Sequence, residues 1–250
     1  MSFKNTLAEE LKKHGAFDVR IADPLAPIEY ARPECLPIKI WPDCKSVIVF
    51  ITASAVEANN TFICKYSIYD GAREENPIPK SVDLSKYAYL RLNWVVNDHV
   101  ALRCVRFLQK EGYQGYANTQ SVQRKLYAWH SGIGVYGRSG LILNPTLGNR
   151  LSIGIILTDV KMEADPMLEG FNPCEHCNKC VRSCPAGAYG TSGTYHNNWS
   201  EKKCADTRRE IVEKGYYCHN CFAVCPAGKI KDGELNKLFN VKSWIDFEGR

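Results

Sequence analysis

Apolar residues in this chain fall into two kinds of run, some recurring at helical spacing and some continuous. Leu7 and Leu11 share a face of a segment that Ser2 can cap and Gly15 can stop, which predicts a helix from Ser2 to about His14. A short strand over Phe17 to Ile21 follows. Pro24, Pro27, Pro33, Pro37 and Pro42 then crowd the stretch from Asp23 to Asp43. Each proline fixes φ and removes a backbone donor, so this stretch reads as a loop wrapped over a scaffold. Ser46 to Thr52, SVIVFIT, is a continuous β-branched run of the kind found in a buried central strand.

Periodicity is weak over 53–82, which reads mostly as loop. Leu84, Tyr87, Leu90, Leu92, Val95, Val96, Val100, Leu102, Val105 and Leu108 recur at helical spacing before Gly112, and predict one long helix over 83–111. A strand near Tyr113 to Ala117, a helix from Thr119 to Ser131 and strands at Leu141 to Leu143 and Leu151 to Thr158 complete a first domain of sheet plus helices. After Thr158 the apolar runs give way to Cys, Pro, Gly and Asn, which places a boundary near residue 165 and divides the chain into 1–165 and 166–250. The fold class is α+β.

Composition narrows the class. The 250 residues are 45% hydrophobic and 24% charged, enough for a sizeable core. No stretch approaches the roughly eighteen consecutive apolar residues of a membrane span, and MSFKNTLAEELKKHG lacks the apolar centre of a signal peptide, so a cytoplasmic protein without a membrane partner is expected.

Twelve cysteines could staple a small secreted domain, but eight of them lie between Cys174 and Cys225 in a large chain, the pattern of metal sites in a reducing compartment. Cys174, Cys177, Cys180 and Cys184, followed by Pro185, are spaced C-x2-C-x2-C-x3-C-P. Three thiolates at that interval wrap one [4Fe-4S] cube, and the fourth reaches a second. Cys218, Cys221 and Cys225, with Pro226, are one thiolate short, and Cys204 upstream supplies it. The expected groups are Cys174, Cys177, Cys180 and Cys225 for one cluster and Cys184, Cys204, Cys218 and Cys221 for the other. Zinc sites pair two C-x2-C knuckles and have no use for the x3-C-P step. Ala186-Gly187 and Ala227-Gly228 are expected to let backbone pass close to the inorganic sulfides. Cys35, Cys44, Cys64 and Cys104 have no motif spacing and read as buried or half-buried thiols; His176 and His219 read as solvated.

The formal charge of +5 counts every cysteine as neutral. Eight thiolates against two 2+ cores lower it to about +1, and no basic run interleaved with aromatics is present, so nucleic acid is not expected as a partner.

Electrons in two clusters need a destination. Gly132, Gly134 and Gly137 match G-x-G-x-x-G, but after a predicted helix rather than a strand, which is the wrong setting for a dinucleotide. The corrinoid pattern D-x-H-x-x-G is absent around His99, in NDHVAL. By itself the segment reads equally as a glycine-rich structural turn.

The stretch LYAWHSGIGVYGRSGLILNPTLGNRLSIGIILTDV, Leu126 to Val160, followed by the two cysteine motifs in this order, resembles the epoxyqueuosine reductases and, more distantly, the reductive dehalogenases, over roughly residues 80 to 230. The resemblance implies a nitroreductase-like α/β sandwich domain holding base-off cobalamin, followed by a bacterial-ferredoxin-like double-cluster domain. The stretch that lies against the corrinoid in that family matches Gly134 to Asn144, which implies cofactor contacts at Gly134, Tyr136, Gly137, Arg138, Ser139, Gly140, Leu141 and Asn144. Asn118 stands where the tRNA-modifying members carry a catalytic aspartate, and an amide donates no such proton. The family's Pro-Trp-Asn is replaced by Pro226, Ala227 and Gly228, and the chain ends 25 residues after Cys225, where a tRNA-gripping helical-repeat domain would begin.

The function expected is transfer of single electrons from a donor such as a ferredoxin or flavodoxin, through two clusters, to a corrinoid that reduces a small organic molecule. Asn118, Tyr116, Tyr136 and Arg138 are the catalytic candidates, with Tyr127 a further source of protons. The alternatives are a non-catalytic protein that passes electrons or corrinoid to a partner enzyme, and a flavin-linked reductase.

Overall fold

The computed structural model describes residues 2–27, 29–53, 84–117, 121–190, 200–213, 218 and 220–228. The expectations for 54–83, Asn118, Cys64 and His219 lie outside them.

Helix α1 (Phe3–Lys13) begins where the Ser2 hydroxyl accepts the Asn5 N–H at 3.3 Å. It ends at His14, and Gly15 turns the chain at φ +105°. Strand β1 (Asp18–Ala22) lies one residue beyond the expected one. In the proline-rich stretch, a 3-10 turn (Pro33–Cys35) and a one-turn helix, α2 (Pro37–Ile40), each start on proline, where the missing N–H has no intrahelical partner to lose.

Strand β2 (Ser46–Ala53), helix α3 (Leu84–Lys110), strand β3 (Gly115–Ala117), helix α4 (Arg124–His130), strands β4 (Val135–Tyr136) and β5 (Ile142–Leu143), and strand β6 (Leu151–Thr158) follow. In the cysteine-rich part come helices α5 (Lys179–Ser183), α6 (Glu201–Glu213) and α7 (Asn220–Ala223).

The main sheet has the order β1-β2-β6-β3, with every neighbouring pair antiparallel. Every residue of β2 is buried, and the reason is layering. Val47, Val49 and Ile51 join Ile155 and Leu157 of β6 against Tyr127 and Ala128 of α4 and Ile133, Ile142 and Leu147 beyond it. Ile48 and Phe50 join Ile156 on the opposite face, against Leu7 and Leu11 of α1 and Val100, Ala101, Cys104 and Leu108 of α3. A strand covered on both faces has no solvent side to mark with polar residues, which is why SVIVFIT reads as continuous. Opposite Phe50, Gly154 gives the ring its room: a Cβ there would overlap it.

Three expectations shift. Helix α4 is shorter than 119–131, because Gln123 gives its start no side-chain cap and the chain turns at 121–123 to bury Val122. Strand β3 starts at Gly115 because the Tyr113 N–H is spent closing α3 onto Leu108 O at 2.9 Å. The expected strand at 141–143 is one arm of a hairpin whose other arm, β4, is too short to show a period of two.

The composition change after Thr158 does not loosen the backbone at once. Asp165 N–H donates to Ile21 O at 2.8 Å, and the Asp165 carboxylate accepts from Ile21 N–H at 2.7 Å and from Lys4 Nζ at 2.7 Å. The segment is thereby strapped to β1 and α1. No described helix is long and apolar enough to cross a membrane.

Candidate redox centre

The first cysteine motif is built from turns. Cys177 N–H donates to Cys174 O at 3.2 Å, and Cys180 lies in the first turn of α5. Cys184, four residues on, would share that helix face if the helix continued. It does not: Cys184 has φ −74° and ψ +114°, the extended conformation that the following Pro185 imposes. The x3-C-P step thus carries the fourth thiol away from the other three.

The thiols then sort into two neighbourhoods. Cys174, Cys177, Cys180 and Cys225 line one cavity with Ser139, Leu143, Pro173, Lys179, Pro226 and Ala227, around about 320 Å³ of empty space that includes open solvent. Among the described residues no three His, Cys, Asp or Glu side chains converge as ligands of a single ion.

Electrostatics marks the second neighbourhood. Burial raises the Cys204 pKa; Arg208 opposes this, and Cys184, Cys221 and Cys218 raise it further. Cys221 is raised by burial, with a hydrogen bond from Tyr189 opposing and with Cys218 and Cys184 adding to the rise. The two neighbourhoods adjoin, because burial and then Cys174, Cys221 and Cys225 push Cys180 to about 11. Neighbouring thiols that raise one another in this way repel as thiolates, a repulsion that a cationic core would offset.

The glycine-rich loop forms the other wall. Arg138 N–H donates to Cys174 Sγ at 3.3 Å, and the Arg138 guanidinium donates to Cys174 O at 3.1 Å. Buried Ser139 lines the cavity, and its carbonyl accepts from Tyr189 O–H at 3.2 Å. Lys125 Nζ donates to Gly140 O at 2.8 Å; burial of the ammonium lowers its pKa, against the pull of Cys221.

The glycines allow close approaches within the fold, as a glycine-rich structural turn would. A Cβ on Gly134 would press on Ile142 and the Leu143 carbonyl, one on Gly137 on the Leu143 side chain, and one on Gly132 on the Pro166 carbonyl. Their bareness is used up by the hairpin and by the strap at 165, so the glycine-rich structural turn accounts for it. Asn144 is likewise committed, donating to Ile133 O at 2.8 Å and accepting from Thr146 N–H at 2.9 Å and Leu147 N–H at 3.2 Å. Tyr136, Arg138 and Leu141 are half-exposed.

The catalytic candidates are dispersed. Tyr116 is 51% exposed on β3 with its ring on Trp41 at 4.8 Å, Tyr136 lies against Trp129 at 5.7 Å, and Arg138 faces the cysteines. Tyr127 is wholly buried and donates to Pro24 O at 2.7 Å, and burial raises its pKa; it is a core residue. His176 is exposed, as expected, and of the cysteines outside the motifs Cys44 and Cys104 are buried and Cys35 is half-buried. Gly228 does not face the cavity: it packs on Gly148 and Leu147, while Gly187 has open space beside it.

Several residues of this centre carry no motif signal. Arg150 reaches Cys225 O and Ala227 O at 3.4 Å each, and Asn149 donates to Phe222 O at 2.8 Å, fastening the second motif to the start of β6. Asn220 donates to Ser183 O at 3.1 Å and ties α7 to α5. Tyr189, five residues after Cys184 in CPAGAY, could have been singled out only as the nearest aromatic to the motif.

No model of a known protein family matches the chain. It is similar to the epoxyqueuosine reductase of Listeria monocytogenes, 23% identical over 181 residues that cover 66% of this chain and 47% of the relative. It is also similar to those of Bacillus anthracis (26% over 166 residues; 58% and 42%) and Leadbetterella byssophila (27% over 191 residues; 70% and 63%). The chain spans about half the length of most of these relatives. In fold it is similar to the Bacillus subtilis epoxyqueuosine reductase, with a TM-score of 0.61 at 19% identity over 93% of this chain and 67% of that one. A reductive dehalogenase described in terms of B12-dependent dehalogenation gives 0.63 at 20% identity over 94% and 32%. The expected resemblance and the mixed helix and sheet class are upheld. An epoxyqueuosine reductase bound to a tRNA stem loop also shares the fold, with a TM-score of 0.58 at 18% identity over 94% and 65%, so charge alone gives no ground for setting nucleic acid aside.

Proposed function

We propose that this protein is a redox protein of the corrinoid and iron-sulfur kind, holding one [4Fe-4S] cluster on Cys174, Cys177, Cys180 and Cys225 and a second on Cys184, Cys204, Cys218 and Cys221. The observation that carries the reading is the shared cavity of Cys174, Cys177, Cys180 and Cys225, which brings the cysteine before the second proline to the first motif across 45 positions (225 − 180). When bound, the clusters supply one-electron transfer and the corrinoid a low-valent cobalt for reducing an organic substrate.

The chain's own residues do the rest. The extended Cys184 divides the thiols between the clusters, Arg138 N–H donates to a cluster thiolate, and Arg150 and Asn149 hold the second motif in place. Half-exposed Arg138, Tyr136 and Leu141 would meet a large planar cofactor, and the corrinoid is supported by the relatives. A nitroreductase-like domain over 1–165 and a ferredoxin-like domain over 166–250 belong to the same reading, with a ferredoxin or flavodoxin as donor and a small organic molecule as substrate.

Asn118 in place of an acid favours a second reading, a non-catalytic protein that passes electrons or corrinoid to a partner enzyme. An anaerobic visible spectrum with iron and cobalt analysis tests both. About eight irons per chain with corrinoid bands support them, released flavin with no cobalt points to a flavin-linked reductase, and absence of iron overturns the proposal. Turnover of an organic acceptor by the reduced protein alone separates enzyme from carrier.

A further inference from the structure

Arg138 holds Cys174 at two points. Its backbone N–H donates to Cys174 Sγ at 3.3 Å, and its guanidinium donates to the Cys174 carbonyl at 3.1 Å. Both bonds are partly buried. The same carbonyl accepts from Cys177 N–H at 3.2 Å, so the guanidinium takes the second lone pair of the oxygen on which the first motif turns.

The hairpin explains why a backbone donor faces the sulfur. Gly140 N–H donates to Gly137 O at 2.8 Å and Gly137 N–H to Leu141 O at 2.8 Å, which makes Arg138 and Ser139 the central residues of a turn closed by Gly140 at φ +71°. Such a turn consumes the N–H of its last residue and leaves the N–H groups of its central residues pointing outward. Outward amides of this kind form concavities for anions, iron-sulfur sites among them. The pairing of Tyr136 with Ile142 fixes the turn at its base, so the donor is placed by backbone and Arg138 supplies the hold on Cys174.

We propose that Arg138 is a positioning residue for the first cluster: its guanidinium keeps Cys174 seated with the sulfur on the Arg138 N–H, and that bond raises the reduction potential of this cluster relative to the second. This rests on the two-cluster reading above. The step affected is arrival at the first cluster of one electron given up by a reduced ferredoxin or flavodoxin. The donor is oxidised and the cluster reduced, no bond is made or broken, and the amide keeps its proton. Reduction adds negative charge that spreads onto the ligand sulfurs, so a donor to one of them stabilises the reduced form more than the oxidised. The guanidinium charge acts in the same direction, and the test separates the two.

The test is an EPR-monitored redox titration of anaerobically purified wild type and Arg138→Ala. One midpoint should fall, so that at its wild-type value the oxidised-to-reduced ratio rises roughly three- to tenfold, while the other midpoint stays where it was. In a Cys204→Ala background, which leaves the first cluster alone, the same fall should appear. Unmoved midpoints, or a shift shared equally by both clusters, would overturn the inference. Citrulline placed at 138 keeps the shape of arginine and donating N–H groups without the charge, and should keep the wild-type midpoint. A fall as large as that of the Ala variant assigns the effect to charge and overturns the positioning role. If the Ala variant loads poorly, pulsed EPR reads the bond itself. Protein grown on arginine labelled with nitrogen-15 at its α-amino group should show a coupling to the reduced first cluster that unlabelled citrulline at 138 removes, and identical spectra count against the bond. A wild type without iron defeats the cluster reading itself, whereas a fully loaded wild type whose potentials ignore position 138 defeats only the role of Arg138.

Discussion

Arg138 N–H donates to Cys174 Sγ at 3.3 Å, joining a loop between two short strands to the first cysteine of a motif 36 positions later. Sulfur accepts such a bond better as a thiolate than as a thiol, so the bond would support Cys174 as the cluster ligand proposed above.

The division of the thiols is testable at Cys204, the member that stands apart from both spaced motifs. Cys204→Ala should lose the second cluster and keep the first, lowering iron from about eight to about four per chain in anaerobic preparations. Retention of the full iron content would refute the ligand assignment.

Gly148 is the point where the first part of the chain touches the peptide after the second C-P step. It sits at φ +61°, and a Cβ there would collide with the Ala227 carbonyl. Gly148→Ala should destabilise the protein by at least about 2 kcal/mol and displace Cys225, so that iron of the first cluster falls more than that of the second. Thermal melts and iron analysis with EPR check both effects, and a variant as stable and as fully loaded as wild type sinks the expectation.

Thiols outside the centre should differ in reactivity by burial alone. Burial, with a smaller contribution from Asp23, pushes Cys44 to about 11, and burial raises Cys104 as well. A raised thiol pKa means less thiolate at neutral pH, so alkylation of Cys44 should be slow near pH 7 and accelerate about tenfold per pH unit below 11. Half-buried Cys35 should react before Cys44 and Cys104. Mass spectrometry of the native protein after timed alkylation gives the order, and early labelling of Cys104 would contradict the packing of α3 on the sheet.

Asn118→Asp supplies the acid that the resemblance implies is missing. If a corrinoid lies over that position, proton-dependent reduction of an organic acceptor should appear or quicken, by about tenfold or more for a positioned general acid. Unchanged turnover with cobalt content intact counts against that placement.

Strap residues offer a control for stability without chemistry. Asp165→Ala removes the acceptor of Ile21 N–H and of Lys4, and should cost about 1 to 3 kcal/mol in urea unfolding while leaving the iron content unchanged. Loss of iron in step with stability would show that the strap also orders the cysteine motifs.

Much of the scaffold was legible because its signals are local. Ser2 and Gly15 bound a helix through capping and φ, SVIVFIT announces a strand covered on both sides, and Leu151 to Thr158 appears at its expected limits. The spacing of the thiols by three, then by four before a proline, is legible as well, and it is the ground of the expected grouping.

Legibility fails where a residue's role depends on a distant partner. Nothing local shows that Gly134 and Gly137 yield to Leu143, or that Gly228 packs on Gly148. The glycines resemble a ligand cradle in sequence and are close-approach positions in the fold, because lack of a side chain serves both ends equally. Tyr116 and Tyr136 look interchangeable as candidates until one is found on Trp41 and the other on Trp129.

The sequence by itself determined the alternation of helix and strand, the continuous core strand and a spacing of thiols that suits two clusters, since each is written in neighbours a few residues apart. Only the tertiary structure shows Cys225 lining one cavity with Cys174, Cys177 and Cys180, the Arg138 N–H on a cysteine sulfur, and Gly134 and Gly137 in close approach to Leu143. The first two relationships join residues tens of positions apart, and the closure of the sheet and the docking of the second motif on it bring them together.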